Sequence, residues 1–167
     1  MGFSIRLADP RDIPAVGRIT VDAYRGDGFL DAEDEYVDEL ADAARRAREA
    51  EVWVAAEGQE VLGSVTYCSP GTVFAELARE NEGEFRMLSV APAARRRGVA
   101  EALVAKCIER SRDLGYQALV LCSMRQMTTA HRLYERLGFQ RLPERDWSPA
   151  EGIDLLGFTL PLDRPGT

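Results

Sequence analysis

The sequence predicts a mixed α/β fold, with a central β-sheet of about seven strands flanked by about four helices. Three observations carry that reading. Segments of alternating or continuous apolar character are interleaved with segments of helical periodicity. Residues 117–122 are apolar almost throughout, as suits a strand covered on both faces. The 167 residues amount to one domain's worth of chain, enough to bury a core without disulfides.

In order, residues 3–7 alternate apolar and polar as a first strand, and Asp9-Pro10-Arg11-Asp12 stops it. Asp9 or Asp12 can cap the helix that follows. Ile13, Val16, Ile19, Thr20 and Ala23 recur at helical spacing until Gly26-Asp27-Gly28 breaks the pattern. Residues 32–50 form a second helix with Tyr36, Val37, Leu40 and Ala44 on its apolar face. Residues 51–56 and 61–67 are two strands of a hairpin turning at Glu57-Gly58-Gln59-Glu60. Ser69-Pro70-Gly71 ends the pair, and residues 74–79 make a short helix or a loop.

Residues 84–90 are the next strand. Val99, Leu103, Val104, Cys107 and Ile108 mark one side of a helix that Leu114 extends and Gly115 stops. After the apolar strand at 117–122, residues 128–137 form a helix ending at Gly138. Residues 139–142 and 153–160 close the chain as two strands. Residues 1–162 are expected to form a single domain and 163–167 a frayed tail.

Composition narrows the function. A net charge of −7 disfavours nucleic acid and anionic membranes as partners. No apolar run approaches the ~20 residues that span a bilayer. The first residues lack the basic-then-apolar layout of a signal peptide, so cytoplasmic residence is the expectation. Cys68, Cys107 and Cys122 sit singly in apolar sequence, without the spacing of a disulfide framework or zinc site. They read as buried, inert thiols. No metal is expected, since His131 stands alone.

The most informative stretch is Met87-Leu88-Ser89-Val90-Ala91-Pro92-Ala93-Ala94-Arg95-Arg96-Arg97-Gly98-Val99-Ala100. It is an apolar strand, a Pro-bounded turn with three arginines, and the start of an amphipathic helix. A helix start presents unpaired N–H groups and the positive end of the dipole. Gly98 allows a phosphate to approach those donors, and the arginines add charge. This local chemistry points to a ligand bearing a pyrophosphate.

Arg95-X-X-Gly98-X-Ala100 after Leu88-Ser89-Val90-Ala91-Pro92 resembles the acetyl-CoA signature of the GCN5-related N-acetyltransferases (GNAT). Ala130-His131-Arg132-Leu133-Tyr134-Glu135-Arg136-Leu137-Gly138-Phe139 is similar to that family's A-X-X-X-Y-X-X-X-G-F segment. The predicted element order matches the family's fold from end to end. The resemblance implies an enzyme that binds acetyl-CoA and moves its acetyl group to a primary amine, by direct attack in a ternary complex.

The resemblance also assigns residues. Leu88 lies near the thioester carbonyl, with Ser89 and Val90 lining the pantetheine arm. Arg95, Arg96, Arg97, Gly98, Val99 and Ala100 form the pyrophosphate cradle, and Ala130 belongs to the second cofactor motif. Tyr134 matches the tyrosine that acts as general acid toward the departing sulfur. Met127 departs from the family, many of whose members carry an Asn there as a cofactor ligand.

Glu84 stands four residues before Leu88, where some members place a catalytic glutamate, and strand alternation puts both on one face. The competing reading is a solvated glutamate in an acidic patch with Glu80 and Glu82. A carboxylate near its ordinary pKa is a poor base for an ammonium group, so the catalytic role requires burial or a water relay. His131 reads as a surface residue near Tyr134.

On the acceptor side, Asp27, Asp31, Glu33, Asp34, Glu35, Asp38, Glu39 and Asp42 form an acidic rim that attracts cationic amines, or else a solvated helix face. Tyr24, Phe29 and Tyr36 supply candidate walls, as does Trp147 in the connection between the last two strands. The function expected is therefore acetyl transfer to a small, cationic amine. The alternatives are a protein N-terminal or lysine acetyltransferase, or a catalytically silent acyl-CoA-binding regulatory module. Dimers are common among similar proteins, so the resemblance also allows a homodimer.

Overall fold

The computed structural model describes residues 2–26 and 36–162, which fall into two compact units. The described residues up to 67 and those of 87–106 make the first, and those of 68–86 and 107–162 the second. Among the described residues there are eight strands and five α-helices, one more of each than the sequence suggests. No helix among them is long and apolar enough to cross a membrane.

In the first unit β1 (Ser4–Leu7) pairs antiparallel with β2 (Glu51–Glu57), and β2 with β3 (Glu60–Cys68). The order continues to the later part of β4 (Glu82–Val90). Val52, Val54 and Ala56 point alternately to one face, where they pack with Val16 and Ile19 of α1 (Ile13–Gly26) and Ala43 of α3 (Ala43–Glu49). Burying an aliphatic side chain such as Val54 contributes about 1.5–3 kcal/mol. The opposite face takes Trp53, whose ring centre lies 5.1 Å from the ammonium of Lys106 on α4 (Val99–Asp113).

The second predicted helix is two helices, α2 (Tyr36–Ala41) and α3. Asp42 separates them because its carboxylate accepts the Arg45 N–H at 3.1 Å and so caps α3. The break shifts the helical phase. Leu40 stays buried as expected, but Ala43 replaces Ala44 inside. Arg46 is also buried, and its guanidinium donates to the carbonyls of Glu39 and Leu40 at 2.8 and 2.9 Å. Those carbonyls lie in the last turn of α2, where intrahelical donors run out, and the Glu39 carbonyl also accepts the Asp42 N–H at 3.2 Å. Gly17 lets α1 approach α2, since a Cβ there would lie 2.6 Å from the Ala41 carbonyl oxygen.

Asp12 precedes α1 and serves the helix differently from the cap predicted. Its carbonyl accepts the Val16 N–H, while its carboxylate turns back to the Asp9 N–H and to Arg6 at 2.6 Å. Arg6 holds the Asp12 carboxyl below its ordinary value of 3.8. The unfolded chain therefore takes up this proton first, and the contribution to stability is present above pH ~4 and lost as pH falls below it. Asp12→Asn should cost about 1–3 kcal/mol at neutral pH. Denaturant melts at pH 7 and pH 3 check this, because the difference between wild type and variant should shrink at the lower pH.

In the second unit β4 runs parallel to β5 (Ala118–Met124), which pairs antiparallel with β8 (Ile153–Pro161) over its whole length. Leu119, Val120 and Leu121 are fully enclosed, as their apolar run predicts. β6 (Gln140–Arg141) and β7 (Trp147–Ala150) both pair with β8. β7 is the unforeseen strand, and it places Trp147 in the sheet opposite Leu155 instead of in an irregular connection. β6 is shorter than residues 139–142 because Phe139 turns into the core beside α5 (Thr128–Arg136). Residues 74–79 are a loop, not a helix.

Candidate active site

The first unit supplies the loop between β4 and α4. A short 3-10 turn at Pro92–Ala94 leads to Arg95 in extended conformation, then Arg96 and Gly98 with φ of 66° and 78°. Open space surrounds the missing Gly98 side chain, so backbone conformation is what calls for glycine there. Left-handed φ values at 96 and 98 bend the backbone sharply just before α4. The first intrahelical bond runs from the Ala102 N–H to the Gly98 carbonyl, so the N–H groups of Val99 and Ala100 precede the helical ladder. Arg95, Arg96 and Arg97 are exposed, and Arg97 also pairs with Glu57 at 3.1 Å. The residues fit a pyrophosphate.

On β4 itself, Leu88 and Val90 are half-buried and Ser89 is buried. The Ser89 hydroxyl meets Thr20 Oγ1 at 3.3 Å and Ser64 Oγ at 3.5 Å. Met87 has a φ of 56°, rare for a residue with a side chain, and its own side chain is buried with Val21 and Leu40. This interrupts the strand's alternation. The spacing argument that put Glu84 and Leu88 on one face therefore does not hold.

Tyr134 lies in the second unit on α5, buried among three phenylalanines. Its ring centre is 5.8 Å from Phe85, 5.9 Å from Phe139 and 5.7 Å from Phe158. Burial pushes its hydroxyl well above the ordinary tyrosine value, and Cys107 and Cys122 add to the shift. The phenol therefore keeps its proton at neutral pH.

Glu84 is neither solvated nor part of a surface patch, which corrects that reading. It is fully buried, and its Oε1 accepts N–H groups from Glu76, Leu77 and Ala78 at 3.0, 2.8 and 2.9 Å. Its Oε2 is buried with no hydrogen-bond partner. Burial raises the Glu84 pKa, outweighing the backbone donors that lower it. Arg86 and Arg145 pin the same loop, donating to the Phe74 and Leu77 carbonyls, while Arg145 also clasps Glu82 at 2.6 Å.

The pairing of β4 with β5 lasts only from Glu82↔Ala118 to Glu84↔Val120. The pairing ends at Glu84 and Val120, two residues before Cys122 on β5. Phe85 and Tyr134 pack together, whereas Glu84, one residue earlier, points to the opposite face. The two predicted catalytic side chains thus occupy opposite faces of this sheet.

Cys122 is half-buried beside two carboxylates, not in apolar surroundings. Burial and those charges from Glu76 and Glu84 push its thiol up to about 12, so it is inert as a nucleophile. Its apolar sequence neighbours therefore do not describe its environment. Trp147 is half-buried with its indole nitrogen enclosed.

His131 is half-buried rather than a free surface residue, with Nε2 at 3.2 Å from Ser123 Oγ and its ring 5.0 Å from Phe158. Burial lowers its pKa. Ala130 is half-buried on α5, and Met127 stands at that helix's N-cap position without a side-chain cap. Tyr24 is half-buried against Val21, Leu40 and Met87. Tyr36 opens α2, and Phe29 and the acidic residues from Asp27 to Glu35 lie outside the described residues. Sequence reasoning missed Glu76, Arg86 and Arg145, which form no motif and meet only through the loop.

A family model described as the acetyltransferase (GNAT) family matches residues 15–139. The chain is 32% identical over 143 residues to a mycothiol acetyltransferase of Cellulomonas flavigena, covering 76% of this chain and 41% of that protein. It is 36% identical over 115 residues to an N-acetylaspartate synthetase of Danio rerio, covering 67% and 36% respectively. The chain thus spans about two-fifths of the length of these relatives. Its fold matches yncA of Salmonella typhimurium, solved with its cofactor acetyl-CoA, with a TM-score of 0.69 at 22% identity, covering 100% of this chain and 98% of that one.

Proposed function

The chain belongs to the GNAT family of acetyltransferases, and from that premise we propose that it transfers an acetyl group from acetyl-CoA to the primary amine of a small, cationic molecule. The observation that carries the reading is the pair of left-handed residues, Arg96 and Gly98, that opens α4. Their backbone N–H groups, with those of Val99 and Ala100, hold the pyrophosphate, and the arginine side chains supplement them. The Leu88 N–H polarises the thioester carbonyl, while Ser89 and Val90 line the pantetheine arm.

In the reaction, the amine nitrogen forms a bond to the thioester carbon and the carbon–sulfur bond breaks. Glu84 receives the amine's proton through water, from the face of the sheet opposite Tyr134, and burial supports that role by raising its basicity. Tyr134 gives its proton to the departing sulfur. On the acceptor side, Trp147 of the second unit supplies a wall. The two curated relatives act on small molecules, which favours that class over peptides.

The test is CoA release and product mass across cationic amines, amino acids, aminoglycosides and short peptides. Amine-dependent acetylation of a small cationic acceptor is expected. Acetyl-CoA binding without turnover on any amine would overturn the reading in favour of a silent binding module, and turnover confined to peptides would replace its acceptor class.

A further inference from the structure

We propose that Cys122, Glu84 and Glu76 form a site for one soft divalent metal ion, with Zn²⁺ as the best-matched occupant. One ligand atom from each residue lies within 4.8 Å of the others. Tetrahedral zinc spaces its ligands about 3.5 Å apart, so rotamer adjustments suffice to close the set.

The second observation is the state of Glu84. Three backbone donors fix its Oε1, while Oε2, on the same fully buried side chain, has no partner. A carboxylate oriented through one oxygen with the other left bare is how a preorganised metal ligand is held. Glu76 is oriented too, by Arg86 Nε at 2.8 Å, and its 24% exposure offers an entry path. The Trp147 indole N–H neighbours the Cys122 sulfur and has no hydrogen-bond partner of ordinary geometry. It stands ready to donate to a metal-bound thiolate.

The donor set decides the class of ion. One thiolate with two carboxylates disfavours Mg²⁺ and Ca²⁺, which take oxygen, and suits Zn²⁺, Co²⁺ or Cd²⁺. Arg86 offsets one of the two carboxylate charges, and the dication with its thiolate completes the balance. The fourth position remains open to water or to an exogenous ligand. Because this site lies where the pairing of β4 with β5 ends, an ion there would also obstruct acceptor chemistry at Glu84.

Titrating Co²⁺ into the metal-free full chain tests this independently of acetyl transfer. A thiolate-to-cobalt band should saturate near one equivalent and be displaced by Zn²⁺. Cys122→Ser should abolish the band and Cys68→Ser should keep it. Glu76→Gln, on the more exposed ligand, should weaken Co²⁺ binding at least tenfold and carries the test if Cys122→Ser fails to fold. Absence of the band in wild type at tenfold Co²⁺ excess, its survival in folded Cys122→Ser, or unchanged affinity in Glu76→Gln would overturn the proposal.

Discussion

Tyr134→Phe is expected to lower kcat by about two orders of magnitude, the scale of a lost general acid, with the KM for acetyl-CoA within about threefold. Phenylalanine retains the ring contacts with Phe85, Phe139 and Phe158, so the fold keeps its aromatic cluster. The melting temperature should therefore move by no more than about 2 °C. Steady-state kinetics and a thermal melt on the same preparation separate the two effects. A kcat near wild type would remove Tyr134 from proton transfer and leave it as a core residue.

The second large effect divides Glu84's two oxygens. Glu84→Ala deprives the N–H groups of Glu76, Leu77 and Ala78 of their acceptor. A deserted donor costs about 1–3 kcal/mol. With partial rescue by water, the expected loss is about 3 kcal/mol, or roughly 6–12 °C in Tm for a chain of this size. Glu84→Gln keeps a carbonyl oxygen for those donors but has no base. It should melt within a few degrees of wild type and still lose about a hundredfold in kcat. The wild-type rate should fall as pH drops through the Glu84 pKa, which burial places above the ordinary 4.5. That acidic limb should vanish in Glu84→Gln. Full activity in Glu84→Gln, with instability in Glu84→Ala, would make Glu84 an anchor alone.

The parts of this protein legible in its sequence are those whose conformation is written locally. Gly98 signals a loop before a helix, although its left-handed φ rather than room for a phosphate is what calls for glycine, and the apolar run at 119–121 marks a doubly covered strand. Asp42 was legible only as charge, since capping depends on a helix start that its neighbours' helix-forming composition conceals. The Glu84 environment was hidden for a different reason. Its donors are backbone groups of an irregular loop, which any residues would supply. Likewise, the carboxylates beside Cys122 come from separate segments, so its apolar sequence neighbours misstate its surroundings. Met87 in left-handed conformation carries no sequence signal, and it defeated the alternation argument.

The tether between Arg46 and α2 bears on how such a protein diversifies. A six-residue helix has no stability of its own, so α2 owes its order to what grips it. Much of that grip is on backbone carbonyls, Glu39 and Leu40, which survive any change in the side chains there. Inherited variation can therefore rewrite the side chains of α2 while one buried arginine conserves the scaffold. Lineages that keep Arg46 should tolerate drift across α2 that would be ruinous to those that lose it.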